Sequence, residues 1–217
     1  MKGPRYLMHM LRFRDEAATP AMANFFASGV LALGRKLGPF LWQFPPNFSF
    51  RPDAFEHFLD LLPRDTAAAQ LARGHDSRVK ESWFEPGRKR TLRHAVEIRH
   101  PSFCTDEFVR LLRRHRVALV VSDSVAGWPY AEDFTADFAY LRLHGAETLY
   151  GRSYPDDALD RWARLISSAR PRPRAARDVF CYFDNDQKVR APFDARRLME
   201  RLGLAPAGGG ERTRTRP

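Results

Sequence analysis

Five short apolar runs constrain this chain more than any other feature: FLWQF, HAVEI, VALVVSD, FAYLRL and VFCYFD. Each gives way to polar or charged residues at its end, and amphipathic stretches of helical period separate them, except between VALVVSD and FAYLRL, where Trp128-Pro129 lies in a loop. Alternation of strand and helix patterns calls for parallel βα units, because parallel neighbours need a long crossover between them. The run VALVVSD, Val117–Asp123, is nearly all apolar, as expected of a strand covered on both faces. The stretch His94–Phe103, HAVEIRHPSF, shows the shared design most clearly. Alternation sends Ala95, Glu97 and Arg99 to one face and Val96 and Ile98 to the other. A buried charge persists only when it is paired or used, and Glu97 and Arg99 are spaced to pair.

The intervening helices can be placed by their caps and stripes. Thr19 is expected to cap a helix with Pro20 at its first position and a stripe of Met22, Phe25, Phe26, Val30, Leu33 and Leu37, stopped by Gly38-Pro39. Arg51-Pro52-Asp53 opens the next, with Phe55, Phe58, Leu59 and Leu62 on one face, and a short helix follows from about Thr66 to Arg73. Thr105 caps a helix carrying Phe108, Leu111 and Leu112, and Asp156 caps one carrying Leu159, Trp162, Leu165 and Ile166. The last carries Leu198, Met199 and Leu202, and Gly203 is available to end it in the left-handed conformation. The expected fold is therefore α/β, a TIM-type (β/α) barrel, in which all strand ends open on the face where active sites sit. Gln43, the group Glu97, Arg99 and His100, then Asp123, then Arg142 and His144, and finally Asp184, Asn185 and Asp186 are expected to line one pocket. Residues 1–204 form one domain, whereas 205–217, with three consecutive glycines and alternating Arg and Thr, read as a disordered basic tail.

A net charge of +10 favours an anionic partner, either a small molecule or nucleic acid, although much of the excess is arginine spread over helix faces and in the linker Arg170–Arg177. The two cysteines, Cys104 and Cys181, lack paired spacing and read as reduced packing residues of a cytoplasmic protein. No apolar run approaches membrane-spanning length, so a membrane partner is not expected.

Arg142 and His144 are the leading site candidates, since a guanidinium beside an imidazole suits a phosphate or carboxylate with a proton to move. The competing reading is a salt-bridge lattice with Glu97 and Asp123 that is structural only. Glu97 with Arg99 divides between those readings, and His100, before Pro101, is as well suited to holding a loop. Asp123 fits a general base, a metal ligand or a helix-entry residue; Asp184 and Asn185 divide similarly. Tyr150 and Tyr154 lie in the loop after His144, where aromatic hydroxyls close over sugars or bases, while Trp42 and Trp162 belong to the core. Glu97, Asp123, His144 and Asp184 are of metal-ligand type, but no two have a diagnostic spacing, so no metal site is assigned and the cofactor is unknown. Two function classes remain. One is an enzyme acting on a phosphorylated or nucleic-acid substrate, with Arg142 binding the anion and Glu97, Asp123 or His144 handling protons. The other is a non-catalytic binding module or inactive remnant.

The chain also resembles the family called domain of unknown function 72, the YecE-like proteins. The matching stretches are KGPRY at the start, KLGPFLWQFPPNF, VEIRHPSF, the SD of VVSDS, ADFAYLRLHG, YGRSYPDDALDRWA, VFCYFDNDQKVRAP and the last helix, which together span nearly everything from Lys2 to Leu204. The resemblance implies a TIM-like barrel with a polar pocket at the strand C-termini and no established reaction. Two departures stand out. Asp194 occupies a position where the family usually shows Asn, which questions any hydrogen-bond donor there, and the family's opening strands, with a GTSGW-like start and a VEINSTFY-like strand, have no counterpart before Met1. On this reading the chain is an incomplete barrel lacking about two to three strands, with KGPRY the end of a further strand. Open edges on FLWQF and VFCYF would then expose inward residues such as Leu41 and Tyr182 to water and drive oligomerisation or aggregation.

Overall fold

Every apolar run forms a strand. The computed structural model describes residues 1–11, 15–65, 67–83, 90–124, 127–145, 153–169, 178–185 and 189–204. Tyr150, the linker Arg170–Arg177, Asp186 and the tail 205–217 lie outside the described residues. The strands are β1 (Phe40–Gln43), β2 (His94–Glu97), β3 (Ala118–Asp123), β4 (Phe138–Leu143) and β5 (Asp178–Phe183), and they form one parallel sheet in sequential order. The helices are α1 (Asp15–Ala27), α2 (Pro52–Leu61), α3 (Ala67–Ala72), α4 (Asp106–Arg114), α5 (Asp156–Ser168) and α6 (Ala191–Arg201).

The sheet is curled. At its N-terminal end Arg93, beside β2, pairs with Asp178 of β5 at 2.6 Å and lies over the rings of Phe138 and Phe180. The concave face buries Leu41, Ala95, Ala118, Val120, Phe138 and Tyr140, with Phe180 against them. The convex face is covered twice. Phe40, Trp42, Phe44, Val96 and Leu119 pack with α1 to α4, and Val121, Ala139, Leu141 and Leu143 pack with α5 and α6. Both Trp42 and Trp162 are fully buried core residues, as their apolar settings predict. Thr105 caps α4 by accepting from the Phe108 amide, and Gly203 ends α6 at φ 67°.

Several local expectations need correction. Among the described residues helix α1 runs from Asp15 and carries Pro20 inside it, past the first turn, so the proline forgoes a backbone hydrogen bond there. It also ends at Ala27: Ser28 bridges to Trp83, Gly29 turns left-handed at φ 90°, and Val30–Lys36 is a separate 3₁₀ segment kinked at Gly34. Asp156 is the first residue of α5 rather than its cap, which is Pro155. Cys104 is exposed, so it is no packing residue, whereas Cys181 packs behind β5 and burial pushes its thiol up to about 12.

The two sheet edges differ. Tyr182 on β5 is 43% exposed, but Leu41 on β1 is only 4% exposed, contrary to expectation. Beside β1 the N-terminal residues add a short parallel ladder: the Leu41 amide donates to the Met1 carbonyl and the Gly3 amide to the Leu41 carbonyl, each at 2.8 Å. Gly3 is required there because any Cβ would overlap the Trp42 ring. Trp42 in turn donates its indole N–H to His94 Nδ1 at 3.1 Å, and His94 Nε2 lies 2.7 Å from the Pro63 carbonyl. An indole only donates and a carbonyl only accepts, so His94 is neutral with its proton on Nε2. Burial holds it down at about 3.

Two outcomes follow from this packing. Gly3→Ala should destabilise the chain by about 1–3 kcal/mol in urea unfolding, the usual penalty of overpacking a filled core; an unchanged midpoint would show that the N-terminal ladder is dispensable. His94 has a folded pKa below its unfolded value of 6.5, so the unfolded chain binds the extra proton and stability drops as pH falls below 6.5. The slope approaches about 1.4 kcal/mol per pH unit. His94→Gln, which keeps one donor and one acceptor, should lose that component of the acid sensitivity, measured as urea midpoints at neutral and mildly acidic pH.

Candidate functional site at the strand C-terminal ends

Strand parity divides the expected pocket residues into two groups. On the concave side stand Gln43, Glu97, Arg142 and Asp184; on the convex side, one residue on from the concave position, stand Asp123 and Asn185. The five clusters therefore do not line a single pocket.

Glu97 is the centre of the concave group and is fully buried. It accepts from Gln43 Nε2 at 2.8 Å and Arg99 Nε at 3.1 Å, while its second oxygen pairs with Arg142. Burial opposes its charge, but Arg142, Arg99 and Gln43 outweigh burial and hold the carboxyl below its usual range. The other arm of Arg142 pairs with Asp184. Arg142 is thus held between two carboxylates in a lattice that uses Asp184, where Asp123 had been expected. Burial opposes the Arg142 charge too, yet Glu97 and Asp184 carry its pKa upward.

His144 lies 3.5 Å from Asp184 through Nδ1, and its buried Nε2 has no partner among the described residues. Burial, then Arg142, lowers its pKa, so the imidazole is neutral at pH 7. Trp128 stands beside it, rings 6.0 Å apart and perpendicular, and the Arg99 guanidinium sits 3.6 Å over the same indole. His100 accepts from the Ser102 amide and holds the turn Pro101–Phe103.

Two residues join this group that had not been singled out. Ser122, 4% exposed and paired in register with Arg142, has a hydroxyl without a partner among the described residues. Counting alternation from Val120 would have placed it on the concave face. Lys2 bridges to Leu41, and its ammonium feels Arg142, Glu97, Arg99 and Asp184; burial, then Arg142, lowers its pKa. Nothing short of the strand ladder beside β1 could have brought Lys2 here.

The convex group forms a separate network. Asp123 accepts from the Tyr154 hydroxyl at 2.8 Å, and that hydroxyl accepts from the Gly145 amide at 2.6 Å. Burial raises the Asp123 pKa against the opposing Tyr154 bond. Tyr154, 3% exposed, is committed to this network instead of closing over a ligand. Asn185 donates to Asp194 at 2.8 Å, and Asp194 also accepts from the Tyr154 amide, Ser153 and Arg197. Every neighbour of Asp194 donates, so a carboxylate fits where a donor had been in question. Among the described residues no group of three or more His, Cys, Asp or Glu side chains is placed to hold a metal ion, and no helix is long and apolar enough to cross a membrane.

Comparison with known proteins agrees with this architecture. The family model described as "Protein of unknown function DUF72" matches residues 1–216. A DUF72 family protein from Thermotoga maritima superimposes with a TM-score of 0.71 at 22% identity, over 93% of this chain and 72% of that one. A DUF72 family protein from Enterococcus faecalis gives 0.67 at 17% identity, over 94% of this chain and 78% of that one. No curated protein matches the chain significantly.

If the lattice holds the strand ends together, Arg142→Leu should cost about 3 kcal/mol or more, because it strips a fully buried carboxylate of its main partner. The double variant Glu97→Gln/Arg142→Leu should recover part of that loss in a urea double-mutant cycle, whereas additive losses would show that the pair does not interact.

Proposed function

The chain belongs to the family of proteins of unknown function DUF72, and from the geometry of its strand ends we propose that it binds a small anionic ligand there, of phosphate or carboxylate type, with His144 accepting a proton from it. What carries this reading is the charge of the concave group: Lys2, Arg99 and Arg142 against Glu97 and Asp184, with His144 neutral. That leaves one positive charge in a partly desolvated site, which an anion would balance. The hydroxyl of Ser122 and Nε2 of His144, both buried and without a partner among the described residues, supply a donor and an acceptor for the same ligand. Within this reading Lys2 is the anion contact, and Arg142 orients Glu97 and Asp184. Trp128 provides an apolar wall beside the imidazole. Whether proton movement at His144 serves a reaction or only charge balance separates an enzyme from a binding module. The placement of His144 Nδ1 3.5 Å from Asp184 supports the enzyme reading.

We also take the curled five-stranded sheet as the larger part of a TIM-type (β/α) barrel, in which these strand ends occupy the face that carries function. The exposed Tyr182 edge of β5 supports self-association as a consequence.

Titration with inorganic phosphate, followed by the imidazole resonances of His144, tests the site. Phosphate should raise the His144 pKa, since an adjacent anion favours the imidazolium. Lys2→Gln should weaken phosphate binding by roughly 1.5–3 kcal/mol, the worth of a charge-assisted hydrogen bond. A His144 titration indifferent to phosphate would defeat the proposal.

A further inference from the structure

The opposite end of the sheet holds a basic cavity, separate from the strand-end site. It encloses about 550 Å³ between the segment entering β1, the segment entering β2 and the start of β5. That volume is in the range of small-molecule sites. Among the described residues Arg35, Lys36, Arg90 and Arg93 line it, with Asp178 as the carboxylate facing them. Asp178 is engaged by Arg93 at 2.6 Å, so its charge is already answered. Arg35, Lys36 and Arg90 have no ion pair among the described residues, which leaves three uncompensated cations converging on one concavity.

The backbone brings them there by a specific device. Gly34, at φ 51° and ψ −121°, breaks the 3₁₀ segment in a conformation that only glycine adopts readily, and the kink swings Arg35 and Lys36 to the cavity. Gly38 then approaches the Phe180 ring, where its ideal Cβ would stand 3.8 Å away. Leu37 and Phe180 give the cavity an apolar wall beside its cationic one.

We propose that this cavity is a binding site for a small phosphorylated molecule with a planar or apolar body, of the nucleoside monophosphate class. Its phosphate would meet Arg35, Lys36 and Arg90, and its body would lie along Leu37 and Phe180. A duplex nucleic acid would instead need cations spread over a surface it can follow, whereas these are gathered around one concavity. Arg93, fixed by Asp178 and stacked over Phe138 and Phe180, acts as the rigid floor.

The test is a titration of the full chain with adenosine monophosphate, followed by backbone amide shifts. The amides of Gly34, Leu37, Gly38 and Phe180 should move, and adenosine without phosphate should move them only weakly. Arg35→Glu/Lys36→Glu, which alters exposed side chains and should leave the melting temperature unchanged, should weaken the affinity read at these amides by roughly tenfold or more. Lys2→Gln should leave that affinity unaltered, which separates this site from the one at the strand C-termini. The proposal falls if these amides do not respond to millimolar nucleotide, or if the double variant binds as the parent does. It also falls if a short DNA duplex perturbs the same amides and the nucleotide does not compete with it.

Discussion

A fully buried carboxylate is the constraint on which the concave face depends. Glu97 stays charged only because donors reach it from both sides: Gln43 on β1, Arg99 at the exit of its own strand and Arg142 on β4. Arg142 is two strands from Glu97 in the sheet order, so its side chain must pass over β3. Neighbouring strands lie about 4.8 Å apart, a span a guanidinium can bridge only if the intervening strand presents something small. Ser122, level with Arg142 in the register, is that small residue. The curl of the sheet shortens the path further. Since Arg142 continues to Asp184 on β5, one chain of polar contacts ties β1 to β5 at the end of the sheet where the strands terminate.

Much of this was legible before any coordinates. All five strands, their parallel order, the Thr105 cap and the Gly203 stop follow from alternation, apolar runs and the chemistry of a few punctuating residues. The failures share a cause, which is that local rules do not know their tertiary neighbours. An apolar stripe runs from Met22 through Leu37, yet Gly29 and Gly34 break the helix because Ser28 is captured by Trp83 and the chain must turn into β1. Leu41 reads as an edge residue until the ladder of residues 1–3 covers it. Position along the sequence places the polar residues at strand ends, but it does not say which face a side chain takes. Parity does, and it separates Asp123 and Asn185 from Glu97, Arg142 and Asp184.

That separation has a mechanical meaning. Asp194, buried at 0% exposure, is surrounded by the Tyr154 amide, the Ser153 hydroxyl, the Asn185 amide group and Arg197, all of which donate. An uncharged amide at this position would turn one of its own donors toward another, whereas a carboxylate accepts all four, and Arg197 answers its charge at 2.9 Å. The result is a rigid mount for Tyr154. Its hydroxyl is clamped between Asp123 and the Gly145 amide.

Gly145, at φ 92°, directly follows His144, so the mount on the convex face fixes the exit of β4 at the residue carrying the buried imidazole. The His144 amide is also held, donating to the Asp123 carbonyl at 3.0 Å. Backbone and side chain are therefore restrained by different networks: the convex one sets where the imidazole starts, and Asp184 with Trp128 sets where it lies. Asp123 carries the link between them, since its carbonyl holds the His144 amide while its carboxylate holds Tyr154. An aspartate at the end of β3 thus serves the site from behind, by positioning, while remaining on the face that no ligand in the concave site would touch.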